Sequence, residues 1–295
     1  MTLLPHPKPF LDPPVGFADL DRARAVVVPF GYEGGVSYGL GTAAAPAAVL
    51  EASYQVEFYD DVLDAEPYVV GLGTLEPPTV PQSPEPMEAL MFQLTDELLA
   101  RPTFPIVVGG DHSITAGSIR AVAKHHESFG VIQLDAHADL RESYNGSRLS
   151  HACTMARALD FTPHTLQIGI RSMDIEEALR VKRQHLPMCT MDQWRKGRFD
   201  LQSALAPLPE KVFLTIDVDV FDWSVIASTG TPEPGGLLWH ETLDLLQTLF
   251  SQKTVVGCDV VELSYRASDP NSPFAVAKLI YKIVGFKFAE LLTAT

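Results

Sequence analysis

Four short apolar runs in this chain each end on an acid or an imidazole, and that restricts the folds open to it. Ile106-Val107-Val108 runs into Gly109-Gly110-Asp111-His112-Ser113. Val131-Ile132-Gln133-Leu134 runs into Asp135-Ala136-His137-Ala138-Asp139. Val212 to Ile216 meets Asp217-Val218-Asp219, and Val255 to Val261 meets Glu262. Apolar runs of this length, with no polar face, read as strands buried on both sides. Between them lie stretches of helical periodicity, such as Met87, Leu90, Met91, Leu94 and Leu98. Strands alternating with helices predict an α/β fold with a mostly parallel sheet covered on both faces. Ligands of such sheets bind beyond the carboxyl ends of the strands, and all four polar clusters fall there.

The pattern predicts strands over 25–30, 68–75, 105–108, 130–134, 165–170, 212–216 and 254–261. Helices are expected over about 44–53, 87–100, 115–126, 153–159, 175–184, 241–250 and 275–286. Pro5 to Pro14 reads as extended chain, so residues 1–24 are expected to form an N-terminal arm. Glu76 to Pro86 reads as a Pro-rich surface loop. Gly31 to Gly41 is Gly-rich but lacks the Lys and Ser/Thr of a P-loop and the spacing of a dinucleotide fingerprint, and reads as a loop near a pocket. No repeat or strong linker interrupts the chain, which predicts one domain over 1–295.

Composition narrows the function classes. With 22 Lys+Arg against 37 Asp+Glu, the formal charge of -15 argues against nucleic acid as a partner. It favours solubility, and steers cations more readily than anions. The three cysteines, Cys153, Cys189 and Cys258, are scattered and unpaired in spacing, which suits reduced thiols. The N-terminus has no signal-peptide core and no apolar run reaches spanning length. The expected setting is the cytoplasm, without membrane association.

The chemistry lies at the strand ends. Asp135, His137 and Asp139 occupy alternate positions and, in extended backbone, point to one side. Carboxylates and an imidazole crowded together are costly unless a cation compensates them. Oxygen and nitrogen ligands without thiolate suit Mn, Fe, Co, Ni or Zn. His112, Asp135, His137, Asp139, Asp217 and Asp219 are too many for one ion that keeps an open position, and suit two ions with bridging carboxylates. Paired ions lower the pKa of a water held between them, which points to hydrolysis.

Taken together, G-G-D-H-S, D-A-H-A-D, Ser150-His151, I-D-V-D-V-F-D, G-T-P-E-P-G-G-L and D-V-V-E resemble the ureohydrolase family, which includes arginase, agmatinase and guanidinobutyrase. The resemblance spans about Val26 to Val284. It implies a three-layer α/β/α fold, two manganese ions per subunit, release of urea from a small cationic guanidino substrate, and a homotrimer or homohexamer. It places the metal ligands at the same six residues, with Asp135 and Asp217 bridging. It assigns a proton shuttle to His151, guanidinium pairing to Glu262, and to Asp139 both alignment of the nucleophile and proton transfer to the leaving nitrogen. His125, His126, His164, His185 and His240 have no comparable context and are expected outside the site.

Within the family, D-L-R-x-x-Y-x-G-x-x-x-S-H from Asp139 to His151 is similar to bacterial agmatinases. The expectation is hydrolysis of agmatine to putrescine and urea. The alternatives are guanidinobutyrase, arginase or a formimino-substrate hydrolase. A non-catalytic protein of the same fold would show lost ligands, and none is lost. Two loops depart from the family pattern: Asp222 to Thr229, with Trp223 and Ala227-Ser228 where prolines and a glycine are usual, and Gly41 to Pro46, which lacks the family's Arg and Gly; a third departure is Ala152-Cys153, where a small residue and Thr usually follow the shuttle histidine. The first is expected to change the shape of its loop, the second to alter subunit contacts or loop packing, and the third to affect fine positioning beside His151.

Overall fold

The computed structural model describes residues 3–292, so the first two residues of the expected arm and the last three of the chain lie outside the described residues. Its strands are β1 (Ala25–Phe30), β2 (Leu72–Thr74), β3 (Phe104–Gly109), β4 (Gly130–Leu134), β5 (Thr165–Ile170), β6 (Met188–Thr190), β7 (Lys211–Asp217) and β8 (Thr254–Val261). Its helices are α1 (Ala45–Ser53), α2 (Pro84–Leu99), α3 (Thr115–His125), α4 (Thr154–Ala158), α5 (Ile175–Gln184), α6 (Met191–Arg195), α7 (Leu201–Leu205), α8 (Trp239–Gln252), α9 (Asn271–Lys287) and α10 (Ala289–Leu292). The eight strands form one sheet in the order β2-β1-β3-β8-β7-β4-β5-β6. Every pairing in it is parallel, where the sequence predicted a mostly parallel one.

Alternation along the strands divides the core in two. Ala25 and Val27 of β1, Ile106 of β3, Ile132 of β4 and Leu214 of β7 pack with α1, α8 and α9. Their neighbours Val26 and Val107 pack with Met87 and Met91 of α2, and Val131 and Phe213 with Ile119 of α3 and Met155 of α4. Successive side chains leave opposite faces of a strand, so helices cover both sides and the molecule has three α/β/α layers.

Register levels the strand ends. Leu134 pairs with Ile216, Ile216 with Val260, and Val260 with Val108. The first polar residues beyond β3, β8, β7 and β4 therefore emerge along one line at the middle of the sheet.

Four expectations need correction. The strand expected over 68–75 is reduced to β2, because Pro67–Val70 forms a 3-10 turn and Gly71 turns the chain at φ 89. Helix α2 begins at Pro84, inside the expected loop, since proline is tolerated in a first turn. Edge strand β6 and the short α6 and α7 were not expected. A three-residue strand has too little periodicity to read, although Thr190 and Gln193 form a capping box for α6. The arm is more than an extension: Pro5 bridges Leu75, His6 N donates to Thr74 O, and Phe10 is fully buried, so the arm covers the β2 edge. Among the described residues no helix is long and apolar enough to cross a membrane. The three cysteines are buried and unbridged.

Candidate metal centre

His112 stands just past β3, where Gly110 lets the backbone press against Tyr32; a Cβ there would lie 1.9 Å from Tyr32 O. His112 Nδ1 points at three carboxylates, 3.1 Å from Asp139 Oδ2, 3.2 Å from Asp135 Oδ2 and 3.4 Å from Asp217 Oδ2. His137 Nδ1 lies 2.8 Å from Asp219 Oδ2 and 3.6 Å from Asp135 Oδ1. Two groups of potential ligands result, His112–Asp135–Asp139 and Asp135–His137–Asp219, and they share Asp135. Asp217 sits between them: one oxygen faces His112, and the other accepts from Asp219 N at 2.9 Å. The structure thus brings all six predicted ligands together.

The buried polar atoms are the test of whether these residues fit a cation. His112 is 1% exposed, yet its Nδ1 makes no well-formed hydrogen bond to any of the oxygens around it. Asp219 Oδ2 is likewise buried without a hydrogen bond. Buried polar atoms are normally satisfied. An imidazole nitrogen and several carboxylate oxygens left converging on each other are a hard donor set suited to a divalent cation, and the residues fit one.

Electrostatics agree. Burial, with Asp135 beside it, pushes Asp139 up to about 7. Burial and neighbouring carboxylates also raise Asp217, Asp219 and Glu262. His137 pays a desolvation penalty but is carried up to about 12 by Asp135 and Asp219. The protein's own groups thus supply too little positive charge for the acids they crowd together.

Two site acids have strained backbones, Asp139 at φ 51 and Glu262 at φ 65. Such conformations persist where surroundings over-determine them. Asp139 O accepts from Met155 N and Ala156 N at the start of α4, and Glu262 N donates to Gly110 O at 2.8 Å. Glu262 Oε1 accepts from His112 N at 2.7 Å.

A cavity of about 320 Å³ opens over the cluster, lined by His112, His137, Asp139 and Asp217 on its floor and by His151 and Glu262. His151 Nε2 is 2.9 Å from Ser37 Oγ, and its ring meets Tyr144 edge-on at 5.6 Å. Burial lowers the His151 pKa. None of His125, His126, His164, His185 and His240 lines the cavity; His125, for one, bonds Asp96 at 2.8 Å.

Several residues that hold the site were not anticipated. Gln133 Nε2 donates to Asp135 Oδ2 at 2.7 Å, and Gln167 bonds Gln133 in turn. Asp111 accepts from Ser113 N and from Gly35 N, tying the Gly-rich loop to the cluster. Arg171 donates to the carbonyl oxygens of Asp219 and Glu233, pinning the loop after Thr231. The available signal was a polar residue inside or just after an apolar strand. The two departing stretches are also held. Ser228 Oγ donates to Asp269 Oδ2 at 2.6 Å, and Glu33 Oε2 accepts from Gly41 N and Ala43 N.

Comparison with known proteins agrees with this geometry. The Arginase family model matches residues 23–285. An N(1)-aminopropylagmatine ureohydrolase of Synechocystis sp. is 38% identical, over 95% of this chain and 94% of its own. An agmatinase of Pyrococcus horikoshii is 30% identical, over 90% of this chain and 93% of its own. The solved agmatine ureohydrolase of Thermoplasma volcanium superposes with a TM-score of 0.88 at 25% identity, covering 98% of this chain and 97% of that one. The chain belongs to the arginase family and is a ureohydrolase, a hydrolase acting on amidino carbon–nitrogen bonds.

Proposed function

We propose that the chain hydrolyses agmatine to putrescine and urea at two manganese ions, working as one domain in a cytoplasmic homotrimer or homohexamer. The observation that carries this is the pair of acid–imidazole groups sharing Asp135 on the floor of a cavity that His151 and Glu262 also line. His112, Asp135, His137, Asp139, Asp217 and Asp219 would hold the ions. When bound, such a pair supplies Lewis acidity and an ionised water near neutral pH.

The chain's own residues do the rest. Glu262 has Oε1 committed to His112 N, which leaves Oε2 to accept from guanidinium N–H groups. That pairing fixes the guanidinium carbon over the aspartates. Asp139, fixed over the cluster by its backbone at φ 51, aligns the attacking oxygen, accepts its proton and delivers it to the leaving nitrogen, which departs only as a protonated amine. His151, kept neutral by burial and bonded to Ser37, exchanges protons between the cavity and solvent.

The rim supports an amine-ended substrate. Arg141 faces the cavity, but Asp174 holds it at 3.3 Å and Glu177 at 3.8 Å. Two acids against one cation leave the rim net negative, a poor seat for the carboxylate of arginine or guanidinobutyrate and a good one for an ammonium. The same acidity suits N(1)-aminopropylagmatine, the substrate named for the 38% identical relative, and this is the second reading. Urea release from agmatine, N(1)-aminopropylagmatine, arginine and guanidinobutyrate with manganese present separates them. Agmatine is expected to turn over fastest; faster turnover of the aminopropyl compound would transfer the assignment to it, and faster arginine turnover would overturn both.

A further inference from the structure

Beneath the ligands lies a second layer of polar side chains as buried as the hydrophobic core. Thr215 and Asp259 are both fully buried, and they are cross-strand partners in the parallel pairing of β7 and β8. The other buried positions of these strands, short of Asp217 itself, are valine, leucine, isoleucine, phenylalanine, glycine and cysteine. A carboxylate there costs free energy that the fold itself does not require. Its surroundings show what it serves. Thr115 Oγ1 donates to Asp259 Oδ2 at 2.8 Å, while Asp259 Oδ1 makes no well-formed hydrogen bond. Burial pushes the Asp259 carboxyl above its usual range, with the Thr215 and Thr115 hydroxyls among the groups that oppose that rise, and the Thr215 hydroxyl is also 2.8 Å from His112 Nε2.

Thr215 has one hydroxyl proton and His112, when neutral, has one ring proton. Two arrangements are open. In the first, Thr215 donates to Nε2, which places the imidazole proton on Nδ1, facing Asp135, Asp139 and Asp217. Those three carboxylates favour that arrangement, and it cannot ligate a cation, because no lone pair remains on Nδ1. In the second, Nε2–H donates to Thr215, and the Thr215 O–H turns towards the Asp259 carboxylate that faces it across the sheet. Only then does Nδ1 turn a lone pair towards the aspartates. Metal-binding histidines are generally oriented by an acceptor on the other ring nitrogen; here the acceptor is a hydroxyl whose polarity is set by an acid one residue further back.

We propose that Asp259, acting through Thr215, is a positioning residue that holds His112 in the tautomer with the proton on Nε2 and so sets the affinity of the centre for divalent cations. The inference rests on the metal-centre reading above. Its range is one step longer than the six ligands, and it gives a role to a buried acid that does not line the cavity.

The test is manganese binding, measured by calorimetry on the chelator-treated full chain, beside the melting temperature of the metal-free protein. Thr215→Val removes the acceptor, and Thr215→Ser keeps it. Asp259→Asn keeps the shape but lets an amide donate to Thr215, which turns the hydroxyl proton back onto His112. Thr215→Val and Asp259→Asn are expected to weaken manganese binding roughly 10- to 100-fold. Thr215→Ser is expected to bind close to wild type. Metal-free melting of Asp259→Asn should not fall, since a buried charge has been removed. Wild-type affinity in both Thr215→Val and Asp259→Asn would overturn the proposal, as would weak binding by Thr215→Ser equal to that of Thr215→Val. Absence of manganese binding by the wild-type chain would overturn the metal-centre reading, and this inference with it.

Discussion

Two of the places where this molecule buries charge do so in opposite ways. At the strand ends, Asp135, Asp139, Asp217 and Asp219 are each at most 6% exposed, and among the described residues no lysine or arginine forms an ion pair with any of them. On the α1–α9 side of the sheet, Asp60 is fully buried and Lys282 of α9 is 2% exposed. Lys282 Nζ lies 2.9 Å from Asp60 Oδ1, which also accepts from Val62 N and Leu63 N. One site neutralises its charge from within the chain; the other has no lysine or arginine counter-charge among the described residues. Burial of acids alone does not mark a functional site. Burial without an internal counter-charge does.

The largest expected effect breaks the uncompensated site. Asp139→Asn removes a carboxylate while keeping a residue type that tolerates φ 51. Urea release should fall by more than the roughly 100-fold that loss of a ligand-orienting residue brings. The metal-free variant should melt at or above the wild-type temperature, because a buried like charge has gone. A marked fall in metal-free melting would mean that these acids hold the fold together, and the contrast with Asp60 would collapse.

Lys282→Met breaks the compensated site and should behave the other way. It strands Asp60, and breaking a buried pair costs about 3–5 kcal/mol, measurable by urea denaturation of the metal-free chain. The double variant Lys282→Met with Asp60→Leu should recover most of that loss, because apolar replacement of a whole buried pair is often neutral or stabilising. Manganese affinity should stay unchanged in both. A Lys282→Met protein as stable as wild type would show that this pair is idle.

The contrast also explains what the sequence could reveal. The candidate ligands were legible because each follows an apolar strand within a few residues, a local signal. Their convergence was legible too, since parallel strands present their carboxyl ends on one side. Asp60 and Lys282 are 222 residues apart, and nothing local joins them. Thr215, Gln133 and Asp259 escaped for a related reason. Each is a single polar residue within a strand, and its meaning depends on the partner across the sheet: Thr215 opposite Asp259, Gln133 opposite Gln167. Register is a tertiary property, and without it such residues read as tolerated exceptions. The departing loop from Asp222 to Thr229 was legible as unusual, but the serine that replaces its glycine proves to be an anchor, donating to Asp269.

Asp269 supplies the smallest expected effect and a third way of housing an acid, with neither metal nor lysine. It accepts from Ser228 Oγ, Ser272 Oγ, Asn271 N and Ser272 N, at the start of α9. Partial burial opposes its charge, but these hydrogen bonds prevail and hold its pKa below the usual carboxylate value. A folded-state pKa below the unfolded one means that the ionised form stabilises the fold. That contribution is complete above the unfolded value of about 3.9 and is lost as pH falls through the lower folded value. Asp269→Ala should therefore cost about 1 kcal/mol near pH 7, the usual worth of a capping acid, and the gap from wild type should narrow as the pH drops below about 4. Denaturation curves of the two metal-free proteins at pH 7 and at pH 3.5 would show it. A gap that stays constant with pH would assign the loss to packing of the 222–229 loop instead of to the charge.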